Sequence, residues 1–132
     1  MPITVVRLGT PRSIDEGLRI GTVRRPPRGV PKAEFAARDF YDVWLPALAP
    51  SQELVTFALQ SSDARSWKTF TREYRAGMKE PEAERLIELL AALSHQTNFS
   101  VGCYCETAAH CHRSILRELL IEHGAKVRAE EL

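Results

Sequence analysis

The densest reactive chemistry in the chain lies between Cys103 and Ser114, a short stretch that holds Cys103, Cys105, Glu106, His110, Cys111, His112 and Arg113. These residue types support three different chemistries. A cysteine near a helix N-terminus with imidazole and guanidinium neighbours can be held as a thiolate, which makes Cys105 or Cys111 a candidate nucleophile. Glu106 and His112 are then the candidate acid and base. Cysteine and histidine are also zinc's usual ligands, but a C-x-C pair on a rigid strand departs from the wider spacing of common zinc knuckles, so no residue is assigned to a metal. In the third chemistry, Arg113, Ser114 and the free N–H groups of the following helix hold an anion. Cys103 by itself reads as an ordinary core residue.

A second cluster lies far from the first in sequence. In Arg24-Arg25-Pro26-Pro27-Arg28-Gly29-Val30-Pro31-Lys32, prolines forbid both helix and ladder pairing, so the segment is a stiff, cationic loop. Stiffness lowers the entropy lost when a guanidinium grips an anion, which makes Arg24, Arg25 and Arg28 ligand candidates. Residues 1–32 carry seven cations against two carboxylates, a local +5 that the rest of the chain offsets to a net +1. That asymmetry points to a small anionic ligand. It does not supply the domain-wide positive field usual for nucleic-acid binding.

These clusters need elements to position them. Ile3–Leu8 and Leu18–Val23 read as strands, and Phe99–Cys105 as a third, buried strand that puts Cys103 and Cys105 on one face. Mixed three- and four-residue spacing over Ala33–Leu48 predicts one or two helices interrupted near Pro46. Ser51 is placed to cap a helix over Gln52–Gln60, and Ser62 or Asp63 a longer one carrying Trp67, Phe70 and Tyr74. Pro81 opens a helix whose Leu86, Leu89, Leu90 and Leu93 form its apolar stripe. Thr107–His110 forms a turn, Ser114–His123 a last helix stopped by Gly124, and Lys126–Arg128 a short closing strand. Tyr41, Trp44, Trp67, Phe70 and Tyr74 are expected in the core. His95 and His123 fall at helix ends, where a cation suits the dipole. The pattern predicts a three-layer α/β/α arrangement with a small, largely parallel, Rossmann-like sheet, in which ligands bind beyond the carboxyl ends of the strands.

At 132 residues, 44% hydrophobic and 27% charged, the chain has the size and composition of one globular domain, residues 1–132. No apolar run is long enough to span a bilayer, and the first residues lack a secretory pattern, so a cytoplasmic location is expected. Three cysteines packed into nine positions make a poor disulfide framework, which also suits a reducing compartment. The pattern assigns neither a cofactor nor an oligomeric state.

Cys103-Tyr104-Cys105-Glu106 followed by Cys111-His112-Arg113-Ser114 resembles the C-x-C-E…C-H-R signature of the DUF488 family, including its YeaO-like members. Arg24–Val30 with Lys32 is similar to that family's basic loop. Tyr41–Leu45 through Ala49-Pro50-Ser51 is similar to its W-L…A-P-S segment, and Phe70–Tyr74 to its F…R-Y helix. The resemblance runs from about Thr4 to Val127. It implies a compact α/β domain of bacterial or archaeal type with no established activity. Here Thr22-Val23-Arg24-Arg25 stands where the family usually carries an acidic residue and a tryptophan, and many YeaO-like members keep the basic loop without the cysteines.

Overall fold

The structure is a computed structural model that describes residues 2–60, 63–105 and 111–128. Four strands, β1 (Ile3–Arg7), β2 (Leu18–Gly21), β3 (Val43–Trp44) and β4 (Phe99–Cys103), form a sheet in the order β1-β4-β2-β3. Every pairing is parallel. Four helices follow the sequence signals: α1 (Gln52–Gln60), α2 (Ala64–Gly77), α3 (Pro81–Leu93) and α4 (His112–Glu122). This is a small α/β fold with a fully parallel sheet, as the alternation of strand and helix patterns predicts.

The caps are largely those the sequence implies. The Ser51 hydroxyl accepts from Leu54 N at 3.1 Å, and Asp63 accepts from Ser66 N at 2.7 Å. Pro81 opens α3, and Gly124 beyond α4 adopts φ +87°. Ser62, the other cap candidate, lies outside the described residues. Val127 adds one parallel bridge to Ile3, so the expected closing strand is reduced to a single pairing.

Several expectations are corrected. Over Ala33–Leu48 no α-helix forms. The chain makes 3-10 turns at Lys32–Glu34 and Pro46–Leu48 and lays Val43 and Trp44 against Ile20 and Gly21 as an edge strand. Sheet pairing overrides the helical spacing here, and Asp39, at φ +62°, breaks any continuous helix. Trp44 is exposed, with its indole N–H donating to Val23 O at 2.7 Å. On α3 the buried face is Ala83, Ile87, Leu90 and Ala91, whereas Leu89 and Leu93 are exposed. Helix α4 begins at His112, two residues earlier than its apolar pattern suggests.

The two faces of the sheet are covered differently. Side chains of all four helices join Ile3, Ile20, Phe99 and Val101 in the main core. Alternation puts Arg19, Gly21, Ser100 and Gly102 on the other face. That face is covered by the helix-free segments after β1 and β2. Tyr41 packs so closely over Gly21 that a Cβ there would collide with its ring, and a Cβ at Gly102 would lie 2.6 Å from Val6 O. Crossover hand explains the division. The links leaving β1 and β2 run one way across the sheet and those leaving β3 and β4 run the other, so a common right-handed crossover sends them to opposite faces. A buried ion pair stitches the helix-free face: Arg19 grips both Glu16 oxygens at 2.8 and 2.9 Å, and Ser100 Oγ donates to the same carboxylate at 2.7 Å.

Candidate functional site

The link leaving β4 goes to the helix face, while its neighbours β1 and β2 send their links to the opposite face. The carboxyl end of β4 is therefore flanked by topological switch points, the place where open parallel sheets leave a crevice for ligands. The Cys103–Cys105 segment leaves the sheet there. Backbone bonds from Leu8 N to Cys103 O and from Thr22 N to Gly102 O, at 2.8 and 3.0 Å, extend the ladder past the strand ends and fix the starts of the neighbouring loops.

Tyr104 joins the early and late clusters. Its hydroxyl donates to Arg25 O at 2.9 Å, and its carbonyl accepts from Arg7 Nε at 3.3 Å. Its ring meets Phe40 edge to face at a centroid distance of 6.3 Å. Arg25, Pro26, Pro27, Arg28, Phe40 and Tyr104 line a cavity of about 390 Å³. Two segments almost eighty residues apart thus share one cavity. Burial, reinforced by the nearby Tyr41 ring, pushes the Tyr104 phenol up, so its proton stays on its donor bond at neutral pH.

The five predicted anion ligands fall in different surroundings. Arg28 is exposed and makes no hydrogen bond or ion pair with any described residue. Arg25 borders the same cavity and donates from Nε to Gln52 Oε1 at 2.9 Å. Arg24 turns away to Pro50 O and Ala49 O, tying the loop to the start of α1. Arg113 is buried and reaches Val6 O at 3.1 Å, and the Ser114 hydroxyl returns to Cys111 O at 2.8 Å.

The predicted chemical residues also separate. Strand β4 stops at Cys103, so Cys105 does not share its surroundings: Cys103 is sealed and Cys105 is exposed. Partial desolvation raises the Cys105 thiol above its ordinary range, with Arg113 and Arg7 pulling the other way. Glu106 and the Thr107–His110 turn lie outside the described residues. Cys111 caps α4 and His112 is its first residue, both buried. Burial pushes the His112 imidazole down to about 4, Arg113 adds to that, and only a hydrogen bond to Thr22 opposes it, so the ring is neutral at pH 7. Its Nε2 lies 2.6 Å from Thr22 O, and a carbonyl can only accept, so the ring proton sits on Nε2 and the Nδ1 lone pair faces Cys111 Sγ at 3.8 Å. Cys103 and Cys111, which the sequence did not pair, meet sulfur to sulfur.

Tyr104 and Phe40 were missed because nothing in their spacing separates a cavity-lining aromatic from a core one. Arg7 and Thr22 were missed because each acts mainly through backbone contacts that no residue pattern encodes. Among the described residues no helix is long and apolar enough to cross a membrane.

Residues 3–124 match the family model described as the active DUF488-N3 subclade. No curated protein and no solved structure matches the chain.

Proposed function

Since the chain belongs to the DUF488 family, we propose that it acts on a small phosphorylated or nucleotide-like ligand seated in the cavity at the carboxyl end of β4. One observation carries this reading. The cavity combines a guanidinium with no partner among the described residues, Arg28, and a second cation, Arg25, with the edge-to-face aromatic pair Phe40 and Tyr104. Guanidinium forks match phosphate oxygens, and aromatic rings offer stacking surface to a planar base. Cys105, next in sequence to the cavity-lining Tyr104, and Glu106 beyond it are the residues proposed to do chemistry on the bound ligand, with Cys111, His112, Arg113 and Ser114 forming the start of α4. The description of the matching subclade as active supports turnover.

The test is titration calorimetry with adenosine monophosphate and with inorganic phosphate. Arg28→Ala is expected to weaken both at least about tenfold, the size of one lost charge-assisted hydrogen bond, while leaving the melting temperature unchanged. Phe40→Leu is expected to weaken the nucleotide and spare inorganic phosphate. Binding that ignores Arg28 sinks the proposal.

A non-catalytic sensor is the second reading, favoured by the raised Cys105 thiol and the burial of Cys111 and His112. Glu106→Gln separates the two. Loss of turnover with affinity intact supports the enzyme, and affinity without turnover in the unmodified chain supports the sensor.

A further inference from the structure

We propose that Cys103, Cys111 and His112 form a binding site for a soft divalent cation, with zinc the best match to the ligand set. The two Sγ atoms and a ring nitrogen of His112 all lie within 4.8 Å of one another. Three features of the fold make this more than a chance cluster.

The first is rigidity of origin. Cys103 is the last residue of β4, while Cys111 and His112 are the cap and first residue of α4, so regular elements aim all three ligands. The Cys111 side chain makes no capping hydrogen bond to the helix backbone, and the positive end of the α4 dipole favours thiolate at this spot.

The second is the outer partner of the imidazole. The Nε2–H donates to Thr22 O at 2.6 Å, which leaves Nδ1 as the lone pair facing the sulfurs. Histidines that hold metals almost always donate their other N–H to a carbonyl or carboxylate in this way. Thr22 itself is fully buried and immobilised, its hydroxyl donating to Gly102 O at 3.0 Å.

The third is the relation between the two cysteines. Their sulfurs meet, yet their Cα atoms stand 7.9 Å apart. A disulfide ordinarily spans Cα separations of roughly 4.4–6.8 Å. The backbone therefore suits two sulfurs converging on a shared atom better than a direct bond between them. Cys103, Cys111 and His112 are only 1%, 2% and 6% exposed, and Leu8, Val23 and Tyr41 pack around the sulfurs. Thiolates in such apolar surroundings are costly unless a cation neutralises them.

Binding releases the two thiol protons to solvent and forms two Zn–S bonds and one Zn–N bond, with no change of oxidation state. The described residues supply three ligands and leave a fourth position, the pattern of a zinc site that can also take water or a ligand atom. The proposal is independent of anion binding in the adjacent cavity, because it predicts metal content and not phosphate affinity.

The experiment uses the full chain, reduced, stripped with a chelator and titrated with Zn²⁺ alone. Displacement of a chromophoric chelator gives stoichiometry, and Co²⁺ substitution reports thiolate ligation through its sulfur-to-metal charge-transfer band. One tight equivalent is expected, with the charge-transfer band intact in Cys105→Ser and lost in Cys111→Ser. His112→Gln should lower zinc affinity at least about 100-fold, since losing even an outer-shell partner costs roughly 10–100-fold. Should Cys111→Ser fail to fold, the unmodified chain still decides. Failure of the reduced protein to bind Zn²⁺, a Co²⁺ complex without thiolate absorption, or retention of the band when Cys103 and Cys111 alone are alkylated each overturns the site.

Discussion

Replacing Arg19 with methionine removes the side chain that holds the helix-free face together, and the structure sets the size of the damage. Arg19 is completely buried and its guanidinium makes four hydrogen bonds: to Glu16 Oε2 and Oε1 at 2.8 and 2.9 Å, to Thr10 O at 2.8 Å and to Asp39 O at 2.7 Å. Methionine fills much of the space and leaves Glu16 as a buried carboxylate with only the Ser100 hydroxyl and the Ser13 backbone to donate to it. Breaking a buried pair by removing one partner costs about 3–5 kcal/mol, a large share of the roughly 5–15 kcal/mol that holds a domain folded. With a urea dependence of roughly 2 kcal/mol per molar, the unfolding midpoint of Arg19→Met should fall by about 2 M at pH 7. The pH dependence gives an independent check. Burial alone would raise the Glu16 carboxyl, but the Arg19 guanidinium and the Ser100 hydroxyl outweigh it and hold it below the ordinary range. In the parent chain this group therefore stabilises the fold above the ordinary carboxylate pKa, and the benefit fades as pH falls through the lowered value. In Arg19→Met desolvation is opposed only by Ser100 and the Ser13 backbone, the carboxyl rises, and acid now stabilises the fold by protonating it. The gap between the two proteins should thus narrow from pH 7 to pH 4. Glu16→Leu combined with Arg19→Met should recover most of the loss, because no unpaired charge remains. A loss below about 1 kcal/mol at pH 7, or a gap that widens in acid, refutes the argument.

Other outcomes follow from the same contacts. Gly102→Ala puts a Cβ 2.6 Å from the backbone oxygen of Val6, which cannot swing aside as a side chain can, so a loss of about 1–3 kcal/mol is expected in chemical denaturation. Tyr74→Phe deletes the fully buried hydroxyl that donates to Leu48 O at 2.7 Å and leaves that carbonyl unpaired, for a loss of about 1–3 kcal/mol by the same measurement. The Cys105 thiol is raised by desolvation, so its alkylation rate should be low at pH 7 and still climbing beyond the ordinary thiol range of about 8.5. A rate plateau near neutrality would show an activated thiolate instead.

Local chemistry in the sequence was enough for β1, β2 and β4, for the capped helices and for the glycine stop after α4, because each rests on signals within a few residues. Asp63, Pro81 and Gly124 act through their own backbone neighbours, so their effect reads directly from residue type. The Ala33–Leu48 segment did not follow its local pattern. Its spacing suits a helix, but β2 offers Val43 and Trp44 a pairing edge, and that non-local competition is invisible along the chain. The candidate site divides in the same way. Residue types alone marked the two clusters, the stiff arginines and the sulfur–imidazole stretch, as the places where chemistry could occur. The partners were settled only in three dimensions: Arg25 and Arg28 with Tyr104 and Phe40, and Cys103 with Cys111 and His112 rather than with Cys105. The sequence by itself determined which groups are reactive, because that is a property of side-chain chemistry. Which groups meet depends on where β4 ends and on which face each link crosses, and those are settled by the packing of the whole sheet.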